Sequence, residues 1–121
     1  MKIGIVGASG EVGRTMIKVL EKMEVSIGEL ILLASSKSAG KELMYKDKQI
    51  KIQELTEEKM KQKYDYLLFS AGGDVSRKYA PLAQEYGNTV IDNSSAFRMH
   101  KDIPLVVPEI NAGLLKGYRG I

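Results

Sequence analysis

The sequence predicts an α/β fold: an open, doubly wound, mostly parallel sheet with helices on both faces. Three observations predict it. Short apolar runs at Ile3–Val6, Leu30–Ala34 and Tyr66–Ala71 read as strands buried on both faces. Stretches with apolar residues at helical spacing lie between them. Each run then ends in a cluster of glycine or serine, at the strand ends where open α/β sheets hold their ligands.

The elements follow in order. Ile3–Val6 is closed by Gly7. Val12, Met16, Val19, Leu20 and Met23 recur at helical spacing, so Glu11 to Met23 is expected to be a helix with that face inward. Leu30–Ala34 completes a βαβ unit. Leu43–Tyr45 and Gln49–Ile52 flank Lys46-Asp47-Lys48 and suggest a partly exposed hairpin inserted at the sheet edge. Thr56 followed by Glu57 and Glu58 marks a capped helix start, with acids near the positive end of the dipole; that helix runs to about Lys63. After Tyr66–Ala71, Asp74 is expected to cap a helix from Val75 to about Tyr86, stopped by Gly87 at C′. Thr89–Asp92 is a fourth strand in this series. Leu105–Val107 sits between Pro104 and Pro108, so it is extended but not an ordinary central strand. Asn111 to Leu115 suits a single helical turn.

Composition narrows the function. A chain of 121 residues fits one domain, and an apolar content of 44% supplies its core. The net charge of +3 is spread along the chain without a basic block, which disfavours nucleic-acid binding. With no cysteine there is no disulfide, thiolate metal site or cysteine nucleophile within these residues. His100 is the only histidine, which excludes a histidine metal cluster. No apolar segment is long enough to span a bilayer, and Met1-Lys2 leads straight into a short strand rather than a signal peptide. The expected compartment is the cytoplasm.

Three glycines carry the first chemical motif. In "GASGEVG", Gly7, Gly10 and Gly13 form a G-x-x-G-x-x-G variant of the Rossmann dinucleotide fingerprint. Gly7 would permit the tight turn, Gly10 the approach of a pyrophosphate, and Gly13 close packing of helix on sheet. The amides from Gly10 through Glu11 to Val12 would then lie at a helix N-terminus that favours anions, with Ser9 adding a hydroxyl. The bland alternative is a βα turn that binds nothing; position after the first strand favours the cofactor. An NAD site usually places an acid at the end of strand two to hold the ribose 2′-hydroxyl. No Asp or Glu lies between Leu30 and Gly40, where "SSKSAGK" instead offers Ser36, Lys37 and Ser38. Hydroxyls and a cation suit a 2′-phosphate, so NADP is expected. "SAGGDVS" brings Gly72 and Gly73 either beside the cofactor or into a plain turn before a helix. "DNSSAFR" offers neutral donors at Asn93 and its two serines, and Arg98 supplies a fork suited to phosphate or carboxylate.

Together, "GIVGASGEVG", "LLASSKSAGK", "LLFSAGGDVS", "VIDNSSAFRM" and "PLVVPEIN" resemble the N-terminal half of bacterial aspartate-semialdehyde dehydrogenases. The resemblance runs along the whole chain in order. It implies NADPH-dependent reduction of aspartyl 4-phosphate to the semialdehyde and inorganic phosphate, in the route to lysine, threonine and methionine. It also implies a cysteine nucleophile, a later histidine acid/base, and a homo-oligomer, a dimer by the family pattern. By the family motif, residues from Ser9 to Val12 hold the pyrophosphate side, and Lys37 and Ser38, with Ser36, the 2′-phosphate. Gly72 and Gly73 lie near the cofactor, and Arg98 with Asn93 binds the substrate phosphate. Where the family has Thr-Gly-Ala-Val this chain has Ser9-Gly10-Glu11-Val12, so Glu11 is expected to contribute its backbone alone. The nucleophile motif, the histidine and the substrate and dimerisation domain are expected beyond Ile121. Residues 1–121 then read as the dinucleotide-binding domain, with no catalytic residue and no metal of its own. Two alternatives stand beside this: a non-catalytic dinucleotide-sensing module, and a homologue that lacks the nucleophile.

Overall fold

A computed structural model describes residues 1–23 and 27–92. In chain order these residues form β1 (Lys2–Val6), α1 (Glu11–Lys22), β2 (Glu29–Ala34), β3 (Glu42–Tyr45), β4 (Lys48–Glu54), α2 (Glu57–Met60), β5 (Tyr66–Phe69), α3 (Gly73–Glu85) and β6 (Val90–Asp92). The strands make one six-stranded sheet in the order β3-β4-β2-β1-β5-β6. Only the β3–β4 pair is antiparallel. This is the doubly wound α/β architecture. From the central β1 the chain first builds outward through β2 to β4, then returns to add β5 and β6 on the other side. The reversal lies between β2 and β5, with β1 between them.

Alternation along the strands separates two cores. Ile3 and Ile5 of β1 and Leu30, Leu32 and Ala34 of β2 face α1 and pack with Ile17 and Leu20. Val6, Leu33, Leu67, Phe69 and Val90 face the other way, against Met60 of α2 and Ala80 and Ala83 of α3. A sheet covered on both faces needs apolar residues in both registers, which is why the strands read as continuous apolar runs.

The face of α1 differs from the one its apolar spacing suggested. Gly13, Ile17 and Leu20 are the buried positions, while Val12, Val19 and Met23 are exposed. The helix is rotated by about one position because Gly13, which an apolar count ignores, must lie against the β1 loop. The hairpin is found where expected, with a tighter turn. Lys46 and Asp47 both have positive φ, as a two-residue type I′ connection requires, and the Lys46 amide donates to Glu21 of α1. The hairpin is no mere insertion, since β4 pairs parallel with β2 and extends the main sheet.

Helix ends follow local chemistry. The Thr56 hydroxyl caps α2 by accepting from the Lys59 amide at 3.3 Å. That helix stops at Met60, short of Lys63. Asp74 does not cap α3: Gly72 is the N-cap, with φ 98°, and Asp74 lies in the first turn paired to Arg77 at 2.9 Å. A backbone angle open to glycine sets this helix start. At the other end Gly87 donates to Gln84 and Asn88 to Ala83, a Schellman stop with Gly87 at C′.

Tyr64 offers a test of the second core. It is 1% exposed, and its hydroxyl has no hydrogen-bond partner among the described residues. Burial, reinforced by the charge of Glu29, pushes its pKa up to about 12 from 10.0. The folded state therefore holds the phenol proton more tightly than the unfolded chain. The resulting stability is complete below the unfolded value and is lost as pH rises through the folded one. That loss amounts to roughly 2–3 kcal/mol. Urea unfolding of Tyr64→Phe is expected to show stability at neutral pH equal to or slightly above the parent, and a smaller alkaline loss. An unchanged alkaline loss would assign that transition to other groups.

Candidate functional site

The ends of β1, β2 and β5 converge at the reversal in strand order, where open α/β sheets leave a crevice. β1 runs into Gly7, whose φ is +87° and whose missing Cβ would stand 2.8 Å from the Ala71 amide nitrogen. The Ser70 hydroxyl donates across the same junction to the carbonyls of Val6 and Gly7, at 3.0 and 3.1 Å. The loop after β1 is thus clamped to the loop after β5.

Gly10 is the N-cap of α1, and no side chain caps this end. The first-turn amides of a helix lack intrahelical acceptors and carry the positive end of its dipole. A Cβ on Gly13 would stand 2.3 Å from the Gly7 carbonyl oxygen and 2.8 Å from Ala8 Cα, so α1 seats directly on the loop. A Cβ on Gly10 would meet only the Gly7 carbonyl oxygen, at an ordinary 3.6 Å. Packing therefore requires two of the three glycines, Gly7 and Gly13. The third keeps the approach to the helix end open.

The turn after β2 lies alongside. Ser38 and Ala39 amides donate to the Ser35 carbonyl, and the Gly40 amide donates to Ile52 of β4 at 2.8 Å. Ser35, Ser36 and Lys37 are exposed. Lys37 forms no ion pair among the described residues. The Ser38 and Ser9 hydroxyls are hydrogen-bonded at 3.0 Å, joining two polar clusters that lie 29 residues apart in sequence.

A cleft of about 470 Å³ opens between these loops. Gly7, Ser9, Gly10, Ala34, Ser35, Ser70 and Ala71 line it, together with Leu55, Val75 and Tyr79. Sequence reading missed this last group. Val75 and Tyr79 stand one helical turn apart on α3, and Leu55 follows β4, so only the fold brings them together. Their spacing on α3 was the one available clue. Gly72 and Gly73 open α3 beside the cleft. Glu11 is exposed in the first turn of α1.

The buried Ser76 of α3 donates to Asp92 at 2.9 Å, tying α3 to the end of β6. Asn93 and Arg98, like His100, Leu105–Val107 and Asn111 to Leu115, lie outside the described residues. Among the described residues no group of three or more His, Asp or Glu is placed to hold a metal, and no helix is long and apolar enough to cross a membrane.

Comparison with known proteins fits this geometry. The family model for the semialdehyde dehydrogenase NAD-binding domain matches residues 2–118. The chain is 48% identical to the aspartate-semialdehyde dehydrogenase of Aquifex aeolicus over 118 residues, covering 98% of this chain and 35% of that protein. It is 49% identical to the Campylobacter jejuni enzyme over 119 residues, with the same coverage. Among solved structures, aspartate semialdehyde dehydrogenase II of Vibrio cholerae, complexed with ASA, superposes with a TM-score of 0.89 at 46% identity, over 95% of this chain and 37% of that one. The Candida albicans enzyme with NADP gives 0.77 at 31% identity, over 95% and 35%. The chain thus spans about a third of the length of the relatives it matches. With the match running along nearly all of its length, the chain belongs to the family of semialdehyde dehydrogenase NAD-binding domains.

Proposed function

We propose that residues 1–121 are the NADP-binding domain of an aspartate-semialdehyde dehydrogenase. One observation carries the cofactor reading: the uncapped N-terminus of α1 and the acid-free turn after β2 flank one cleft, linked through Ser9 and Ser38. The dinucleotide lies with its pyrophosphate on the amides from Gly10 through Glu11 to Val12, beside the Ser9 hydroxyl. Glu11 contributes its amide alone. The adenine is enclosed by Leu55, Val75 and Tyr79, an apolar wall with an aromatic ring. Ser36, Lys37 and Ser38 form the 2′-phosphate turn, with Lys37 as its point charge. Gly72 and Gly73 border the remainder of the cofactor. When bound, NADPH supplies the hydride; the domain binds and orients it and shields its base from water.

A second reading, NAD, has one observation behind it. β4 is a register neighbour of β2, and Glu54 pairs with Ala34 there, bringing an acid beside the end of β2 that the sequence interval did not show. Glu54 is exposed. Calorimetric titration with both cofactors separates the readings. NADP is expected to bind more tightly than NAD. Lys37→Glu is expected to weaken NADP about tenfold or more, the scale of one hydrogen bond to a charged group, while leaving NAD nearly unchanged. Equal affinities in the parent would refute the 2′-phosphate assignment.

The activity proposed for the whole enzyme is the reductive dephosphorylation of aspartyl 4-phosphate. Arg98 and Asn93 hold the substrate phosphate, a cysteine and a histidine outside these residues carry the covalent chemistry, and the enzyme works in the cytoplasm as a homodimer.

A further inference from the structure

We propose, resting on the dinucleotide reading above, that Ser70 is a positioning residue for the diphosphate: its hydroxyl holds the Gly7 carbonyl so that the Gly10 amide can be given to the anion. The Ser70 hydroxyl stands 3.0 Å from the Val6 carbonyl oxygen and 3.1 Å from that of Gly7. Neither oxygen carries a hydrogen, so the direction of both contacts is fixed and the hydroxyl donates. One hydrogen is thus shared between two acceptors. The Val6 carbonyl does not depend on it, because it also accepts from the Ser70 amide at 2.8 Å. The hydroxyl is therefore able to commit its hydrogen to Gly7.

The Gly10 amide donates to the same Gly7 carbonyl at 3.2 Å, the long end of the range for such bonds. That carbonyl is not free to turn away. The Gly7 and Ala8 amides both donate to the Leu33 carbonyl of β2, at 2.8 and 3.1 Å, which pins the peptide between Gly7 and Ala8 from the β2 side. The carbonyl oxygen also lies near the start of α1, 3.6 Å from where a Cβ on Gly10 would stand. The free and bound chains then differ. Without cofactor, the Gly7 carbonyl has both donors. With cofactor, the Gly10 amide turns to a phosphate oxygen, and a fixed carbonyl would be left unpaired beside a negative charge. The Ser70 hydroxyl prevents this, since leaving a polar group unpaired costs more than the net worth of one hydrogen bond. Ser70 contributes more to the complex than to the free fold, and it serves the diphosphate common to NAD and NADP.

Titration calorimetry of the chain with NADP and NAD tests this, together with thermal melting of the free chain and amide shifts of labelled chain. Ser70→Ala is expected to weaken both cofactors by the same factor, about fivefold, the scale of one net hydrogen bond. The melting temperature without cofactor should stay close to that of the parent. At saturating cofactor the Gly10 amide resonance should move in the parent and remain near its free position in Ser70→Ala, which a merely structural role would not produce. Ser70→Cys fills the same space with a weak donor and should lose affinity as alanine does. Ser70→Thr keeps the hydroxyl and should restore it. Parent-like affinities in both the alanine and cysteine variants would overturn the inference. So would a loss confined to NADP, or a melting temperature that falls while both affinities hold. A parent chain that binds neither cofactor would instead overturn the dinucleotide reading, and this inference with it.

Discussion

Gly13→Ala is expected to lower the melting temperature and to abolish cofactor binding, while Gly10→Ala abolishes binding with little change in melting. The two glycines sit one helical turn apart, yet their surroundings differ. At Gly13 the added carbon meets backbone, the Gly7 carbonyl oxygen at 2.3 Å and Ala8 Cα at 2.8 Å, which no side-chain rotation relieves. Overpacking of this kind costs about 1–3 kcal/mol. Alanine regains about 1 kcal/mol of helix propensity, which a clash with two backbone segments outweighs. In a domain of this size 1 kcal/mol corresponds to roughly 4 °C. Gly13→Val adds the full clash and should fall further. At Gly10 the same carbon has room on the protein side, and the cofactor placement proposed above would put it against the diphosphate. Thermal melting with and without NADP reads both effects. A Gly13→Ala protein more stable than the parent would mean that α1 does not seat on the loop as described.

Asn88→Ala is expected to cost about 3 kcal/mol or more in urea unfolding, a large share of the 5–15 kcal/mol typical of a domain. Asn88 is 1% exposed and uses its whole amide. Its oxygen accepts from the Tyr64 amide at 2.7 Å, and its nitrogen donates to the carbonyls of Met60 at 3.2 Å and Gln62 at 2.9 Å. Truncation leaves three backbone groups between α2 and β5 without these partners, each costing about 1–3 kcal/mol where water cannot replace the bond. Leucine fills the volume and leaves the same three groups unpaired, so Asn88→Leu should be as damaging. A loss below about 1 kcal/mol for both variants would show that the loop repacks around water.

These residues also mark what a one-dimensional reading can see. Apolar runs and helical spacing, with capping and stop residues for α2 and α3, located the helices and strands of the described residues, because strands buried on both faces and amphipathic helices have distinct repeats. Gly7, Gly10 and Gly13 were legible because their work is local: a turn, an approach and a close contact within one βα junction. Position along a helix was less legible. Val12 and Val19 looked buried by spacing, but the glycine beside them decided the face of α1. Asp74 looked like a cap because its type suits one, whereas the positive φ at Gly72 moved the helix start upstream. Asn88, following Gly87, reads as an ordinary turn residue; its three bonds reach back 24 to 28 residues. Leu55, Val75 and Tyr79 come from separate elements and line one cleft only once β4 and β5 flank the central pair. Distances of that kind are set by strand order, which no local pattern encodes.

The most direct measurement is titration of NADP into isotopically labelled chain, followed by backbone amide shifts. The largest changes are expected at the amides from Gly7 to Val12 and in the turn at Ser35–Ser38, with smaller ones at Leu55, Val75 and Tyr79 in the cleft. NAD should reproduce the first set and the cleft wall while leaving Ser36 and Lys37 nearly unmoved. Shifts confined to the β3–β4 edge, or none in the loop after β1 at saturating NADP, would contradict the placement of the cofactor at the ends of β1, β2 and β5.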